Sequence, residues 1–181
     1  FTFLSNGTST VTQIRIRASG TVDEAADLSD LRLFYKQEAT CSTSIPGDAT
    51  AFNAGGVGFS ATGTAVATGT MTAGTSQVCL YLRLDVGDTA GADETLEVDI
   101  ADPSADVTVS SGTVTPAAPV AIAGTTTLQG GTITVGATGS QIATSTIPAS
   151  NIWIGGAFTF QRDFGNATVT QMTVRASGTV D

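Results

Sequence analysis

The chain has 181 residues, 41% of them hydrophobic and 6% aromatic, with a net charge of −9, a single lysine (Lys36) and no histidine. Without histidine there is no histidine-based triad, no histidine acid–base chemistry and no histidine-ligated zinc. The acidic balance leaves no basic footprint for nucleic acid and discourages docking on anionic lipid.

Abundant Thr, Val and Gly favour strands and turns, so composition predicts an all-β chain. Phe1 to Phe3 reads as the end of a strand. The chain opens on Phe1 rather than Met, which places any leader peptide upstream or already removed. A polar turn, Ser5-Asn6-Gly7-Thr8, leads to a strand over Val11 to Ala18, with Ile14, Ile16 and Ala18 on one face and Gln13, Arg15 and Arg17 on the other. From Asp23 to Ala39 helical and strand periodicities compete. The β context favours a loop or short helical turn followed by a strand from Leu31 to Lys36.

Gln37 to Gly58 is expected to be a long loop, either functional or tethered. Short strands broken by glycine follow over Phe59 to Ala61 and Thr64 to Thr72. Val78 to Val86 is the clearest strand: Val78, Leu80, Leu82, Leu84 and Val86 alternate with Cys79, Tyr81, Arg83 and Asp85. Leu96 to Ile100 and Val107 to Val109 come next. Pro116 and Pro119 mark a connector, so a boundary is expected there, dividing 1–119 from 120–181. Beyond it, Thr125 to Leu128 and Thr132 to Val135 are expected to pair around Gly130-Gly131. Gln141 to Ile147 and Asn151 to Phe160 are further strand candidates.

The end of the chain copies its start. Thr168 to Asp181, TVTQMTVRASGTVD, matches Thr10 to Asp23, TVTQIRIRASGTVD, at eleven of fourteen positions. Phe158-Thr159-Phe160 repeats Phe1-Thr2-Phe3 with the intervening loop one residue longer. Ile14 becomes Met172 and Ile16 becomes Val174, while Arg15 between them becomes Thr173, as a strand with one buried face tolerates. A period of 158 residues implies a tandem array or a subunit with like ends. The second copy stops where the first runs on into Leu28, Leu31 and Leu33, so its module is expected to be completed by a neighbour.

Taken together, VTQIRIRASGTVDEAADLSDLRLFY, then MTAGTSQVCLYLRLDVGDTAGADETLEVDI, then ADVTV resemble the immunoglobulin-like β-sandwich repeats found in tandem in very long bacterial surface and adhesin-type proteins. The resemblance covers Val11 to Val109 and, through the repeat, Phe158 to Asp181. It implies an immunoglobulin-like antiparallel sandwich, a structural or adhesive role outside the cell, and no shared catalytic residues. Such repeats often carry a calcium-type acidic loop, but here Cys41-Ser42-Thr43-Ser44 follows the LRLFY strand.

Cys41 and Cys79, the only cysteines, suggest an exported protein with one disulfide, two free buried thiols being the alternative. Closing that loop of 38 residues would contribute on the order of 4 kcal/mol. Acidic groups fall in three sets: Asp23, Glu24, Asp27 and Asp30; Asp85, Asp88, Asp93 and Glu94; Asp99, Asp102 and Asp106. Oxygen ligands of this kind can hold calcium, and Asp23, Asp27 and Asp30 are the candidates, although no EF-hand spacing is present and solvated turn carboxylates explain them as well. Asn6-Gly7-Thr8 and Asn166-Ala167-Thr168 fit the N-glycosylation pattern, which a Thr-rich chain also produces by chance. No nucleophile elbow or phosphate loop is present, so no enzyme is expected and no cofactor beyond possible calcium. The expected partners are neighbouring copies of the chain itself, head to tail. A surface glycan becomes a partner if the module is instead adhesive.

Overall fold

The computed structural model describes residues 1–163 and 167–178. Among the described residues antiparallel strands dominate and helix is confined to two single turns. The chain divides into two compact units, Phe1–Gln129 and Gly130–Asp181. In the first, β1 (Thr2–Phe3), β2 (Ser9–Gly20), α1 (Glu24–Asp27), β3 (Leu28–Gln37), β4 (Thr50–Ala51), β5 (Thr64–Ala73), β6 (Val78–Val86), β7 (Thr95–Ile100), α2 (Pro103–Asp106), β8 (Val107–Val109), β9 (Val120–Ala121) and β10 (Thr126–Thr127) follow in order. One sheet runs β1-β6-β3-β4; the other runs β10-β7-β2-β5, with β8 also on β2 and β9 also on β7. The sheets share one core: Val11, Ile14, Ile16 and Met71 come from one, Leu31, Leu33, Val78 and Leu80 from the other.

β2 is the central strand, bonded to β5 on one side and to β7 and β8 on the other. Simple alternation from Ile14 would turn Val11 outward. A register shift between Val11 and Gln13 resets the pleat, so Val11, Ile14, Ile16 and Ala18 are all buried. The ambiguous stretch after Asp23 resolves as a turn, then a strand. The Asp23 side chain caps α1 by accepting from the Ala26 N–H at 3.1 Å, and β3 begins at Leu28. The same device recurs at α2, where Asp102 accepts from the Ser104 N–H at 3.0 Å.

Phe59 to Ala61 forms no strand, while β5 runs through Gly69 as expected. A Cβ there would lie 1.8 Å from the Phe52 carbonyl oxygen, so the glycine is what lets the long loop cross close to the strand. That loop is organised rather than free. The buried Asn53 side chain accepts from the Leu33 N–H at 2.7 Å and donates to the Leu31 carbonyl at 3.0 Å, substituting for a strand alongside β3. β6 has the predicted limits, but its inward row fades. Val78 and Leu80 are buried, Leu82 and Leu84 partly so, and Val86 is exposed, because the facing sheet thins to the two-residue strands β9 and β10.

The first unit extends past Pro119 because β9 and β10 both add to β7, and because the Leu128 N–H donates to the Glu94 carbonyl at 2.7 Å while the Leu128 carbonyl accepts from the Asp93 N–H at 2.8 Å. The expected hairpin around Gly130-Gly131 therefore does not form: its first strand pairs with β7 instead. In the second unit β11 (Ile133–Thr138) pairs antiparallel with β12 (Ala157–Arg162). Gln141 to Ile147 is not a strand, and Asn151 to Phe160 contributes only its end.

Candidate assembly surface

Among the described residues β1 lies at the edge of its sheet and is bonded to β6 alone. The Phe1 N–H donates to the Leu80 carbonyl at 2.9 Å, and the Leu80 N–H returns a bond to the Phe1 carbonyl at 2.8 Å. Ser5 N–H likewise reaches the Gly74 carbonyl at 2.9 Å. Backbone groups of an extended strand alternate in direction, so Phe1, Phe3 and Ser5 face β6 while Thr2 and Leu4 face the open edge. The Phe1 and Phe3 side chains pack inward on the core. Beside them opens a cleft of about 200 Å³, walled by Phe1, Phe3, Val107, Val109, Val114 and Pro116.

The copied segment in the second unit has the opposite environment. Val11, Ile14 and Ile16 are 1%, 0% and 0% exposed; their equivalents Val169, Met172 and Val174 are 49%, 55% and 61% exposed. Residues 167–178 form no strand. Phe158 and Phe160 in β12 are also exposed, as are Val135, opposite Phe160, and Ile133, opposite Arg162. Together these make an apolar surface of strand-forming sequence without a covering layer in the second unit.

On the outer face of β2, Arg15 bonds Asp106 at 3.0 Å, and Arg17 makes a two-pronged contact with Asp99. The Asp99 hydrogen bond and charge raise the Arg17 pKa. The copy keeps Arg175 at the Arg17 position but has Thr173 at that of Arg15.

The calcium candidates are drawn apart. Asp23 caps α1, Asp27 is buried and accepts from the Thr89 hydroxyl, and Asp30 is paired with the Arg32 guanidinium at 3.0 Å. Among the described residues no three His, Cys, Asp or Glu side chains converge to hold a metal. Cys41 and Cys79 are joined, with Cα atoms 5.5 Å apart, and Cys79 is fully buried. The bridge fixes the start of the long loop to β6. Nearby, Lys36 reaches Asp48 at 2.9 Å and Glu38 at 3.2 Å, and the Tyr81 hydroxyl donates to Glu38. Tyr81 first, then Lys36, holds the Glu38 pKa below its usual range. Asn6 is exposed in the β1–β2 turn; Asn166 lies outside the described residues.

No helix among the described residues is long and apolar enough to cross a membrane. No protein-family model matches the chain, and nothing matches it among curated proteins or solved structures. Sequence reasoning missed the open edge of β1 and the pairing of Ile133–Thr138 with Ala157–Arg162. The signal was present in the alternation of the two FTF triplets, but which edge each copy uses is written in backbone hydrogen bonds.

Proposed function

We propose that this chain is a structural building block of an extracellular or cell-surface fibre, joined head to tail by strand completion between immunoglobulin-like modules. The observation that carries this reading is the exposed copy of β1 and β2 in the second unit. A sequence that forms the centre of a core in one place stands uncovered in another, and its natural cover is a second set of the strands that flank β2. Burying Val169, Met172 and Val174 would contribute roughly 1.5–3 kcal/mol each. A head-to-tail contact that does not close generates an open filament. The disulfide is compatible with an oxidising compartment outside the cell.

For the finer fold, an immunoglobulin-like Greek key is supported by the β2–β5 and β3–β6 pairs, which match its two central pairs. β1 and β7 occupy exchanged sheets: in immunoglobulin domains the first strand lies beside the second and the seventh beside the sixth. Here β1 is beside β6 and β7 beside β2. The first strand lies at a sheet edge in both arrangements.

Sedimentation of the chain across a concentration series, followed by electron microscopy, tests the reading. Growth into linear multimers, abolished by Met172→Asp with Val174→Asp, is the expected result. A monodisperse monomer at the highest concentration reached, with residues 130–178 resistant to protease, would overturn it. The second reading, an adhesin or carbohydrate-binding module, has the 74%-exposed Trp153 in its favour. Glycan binding lost in Trp153→Ala is its test.

A further inference from the structure

We infer that β1 is an interior strand of the assembled protein, its open edge receiving the Ile133–Thr138 strand of a second copy. This rests on the strand-completion reading and names the strand and register of one joint. In the second unit the β1 equivalent, Phe158-Thr159-Phe160, is already paired with Ile133–Thr138: Phe158 lies opposite Ala137, Thr159 opposite Gly136 and Phe160 opposite Val135. The Asp163 N–H to Thr132 carbonyl bond of 3.3 Å belongs to the same register. Alternation along the ladder then makes Gln161–Thr134 and Thr159–Gly136 the bonded pairs. The backbone groups of Phe158 and Phe160 face away from β11.

The two copies of one sequence thus use opposite edges. Phe1 and Phe3 bond β6 and leave Thr2 turned outward; Thr159 bonds β11 and leaves Phe158 and Phe160 turned outward. Superposing the triplets gives a three-stranded ladder, β6 on one side and the β11 sequence on the other, with no group of the triplet claimed twice. The Thr134 and Gly136 groups that bond β12 are the ones that would bond β1, so the incoming strand exchanges its own β12 for the β1 of its neighbour. Transferred to β1, Gly136 falls opposite Thr2, Val135 opposite Phe3, Ala137 opposite Phe1 and Ile133 opposite Ser5. Directly opposed residues share a face, so Ile133, Val135 and Ala137 would project on the side of Phe1 and Phe3, over the cleft beside them. Both the hydrogen-bonding edge and the apolar cleft are then met by one strand, which is strand addition with side chains read by a groove. The occupant is identified by the pairing its own sequence already makes.

The test uses the full chain and a fluorescent peptide of residues 130–140, with binding read by anisotropy below the concentration of self-assembly. Saturable binding is expected, weakened at least tenfold by Thr2→Pro. That change removes only an outward N–H, so the β1–β6 bonds and the melting temperature should be kept. A Gly136→Pro peptide, which needs no fold of its own, should fail to bind. Protection of the Leu4 amide from exchange on peptide addition would place the contact. Equal binding to Thr2→Pro chain, or equal binding by the Gly136→Pro peptide, would overturn the inference. The two proposals separate cleanly. A peptide-binding chain that never multimerises keeps this edge and removes the fibre. Multimers unaffected by Thr2→Pro, with no peptide binding, keep the fibre and remove this joint.

Discussion

Residues 10–20 and 168–178 are nearly the same peptide in two settings. In the first unit the peptide lies within a twelve-residue strand, Ser9–Gly20, in the middle of a sheet, its apolar row sealed. In the second it makes no strand, and the same row stands in solvent. The alternation of Val, Ile and Thr is compatible with a strand in both. What differs is the presence of β5, β7 and β8 to take up its backbone groups. Strand propensity is a fit to neighbours more than a property of the peptide, and a repeated sequence exposes that distinction without any mutation.

The largest expected effect breaks the comparison at equivalent positions. Ile14→Ala should cost about 2–5 kcal/mol in a denaturant melt, as deletion of a buried aliphatic side chain does. Met172→Ala should stay within about 0.5 kcal/mol, as an exposed change does. Equal costs would mean that the second copy is packed in solution. Removing the disulfide, with Cys41→Ala and Cys79→Ala together, should lower the stability of the first unit by about 4 kcal/mol on the chain-entropy estimate. Exchange of the β11 and β12 amides should not change; a shared loss would show the two units melting as one.

A smaller effect comes from glycines. Gly69→Ala drives a Cβ onto the Phe52 carbonyl and should cost about 1–3 kcal/mol through backbone displacement. Gly136→Ala meets only the Thr159 hydroxyl, 2.9 Å away at the end of a rotatable side chain, and should be tolerated far better. Thermal melts of the two variants give the contrast directly.

The smallest effect is in pH. Glu38 and Asp48 are held below their ordinary values of 4.5 and 3.8, Glu38 chiefly by Tyr81 and Asp48 chiefly by Lys36. Their contribution is complete above those values and lost as pH falls through the depressed folded ones. Lys36 is raised above 10.5, first by Asp48, so its share is complete below 10.5 and lost as pH rises through the folded value. Exchange of loop amides near Ser42 should therefore quicken in acid and in strong base. Amides of residues 167–178 should show no such dependence beyond intrinsic chemistry.

Strict alternation made β6 legible to the residue, and the short turn before β3 followed from its β surroundings, although β3 begins at Leu28 rather than at the expected Leu31. The burial of Val11 was not legible, because one extra residue in β2 changes its face and no side chain announces the bulge. The reason for Gly69 inside β5 was not legible, since a sequence cannot say whether a missing Cβ makes room for a bend or for a neighbour. The strand at Thr126–Thr127 was assigned to the wrong partner for a related reason: local turn residues favoured Gly130-Gly131, while distant β7 offered an open edge. At the assembly surface, the repeat was plain in the sequence. The use of opposite edges by its two copies was not.

The disulfide has one more consequence, in mechanics. Cys41 and Cys79 are 38 residues apart along the chain but 5.5 Å apart in space. Stretched out, that length of chain would reach on the order of 130 Å. With the bridge closed, a pull applied at the two ends bypasses β4, Asn53 and β5 altogether, and those residues cannot lengthen the molecule even after its sheets have separated. Reduction returns them to the load path. A single bond therefore sets how far this chain can be drawn out before its covalent backbone bears the force, and makes that reach depend on the redox state of its surroundings.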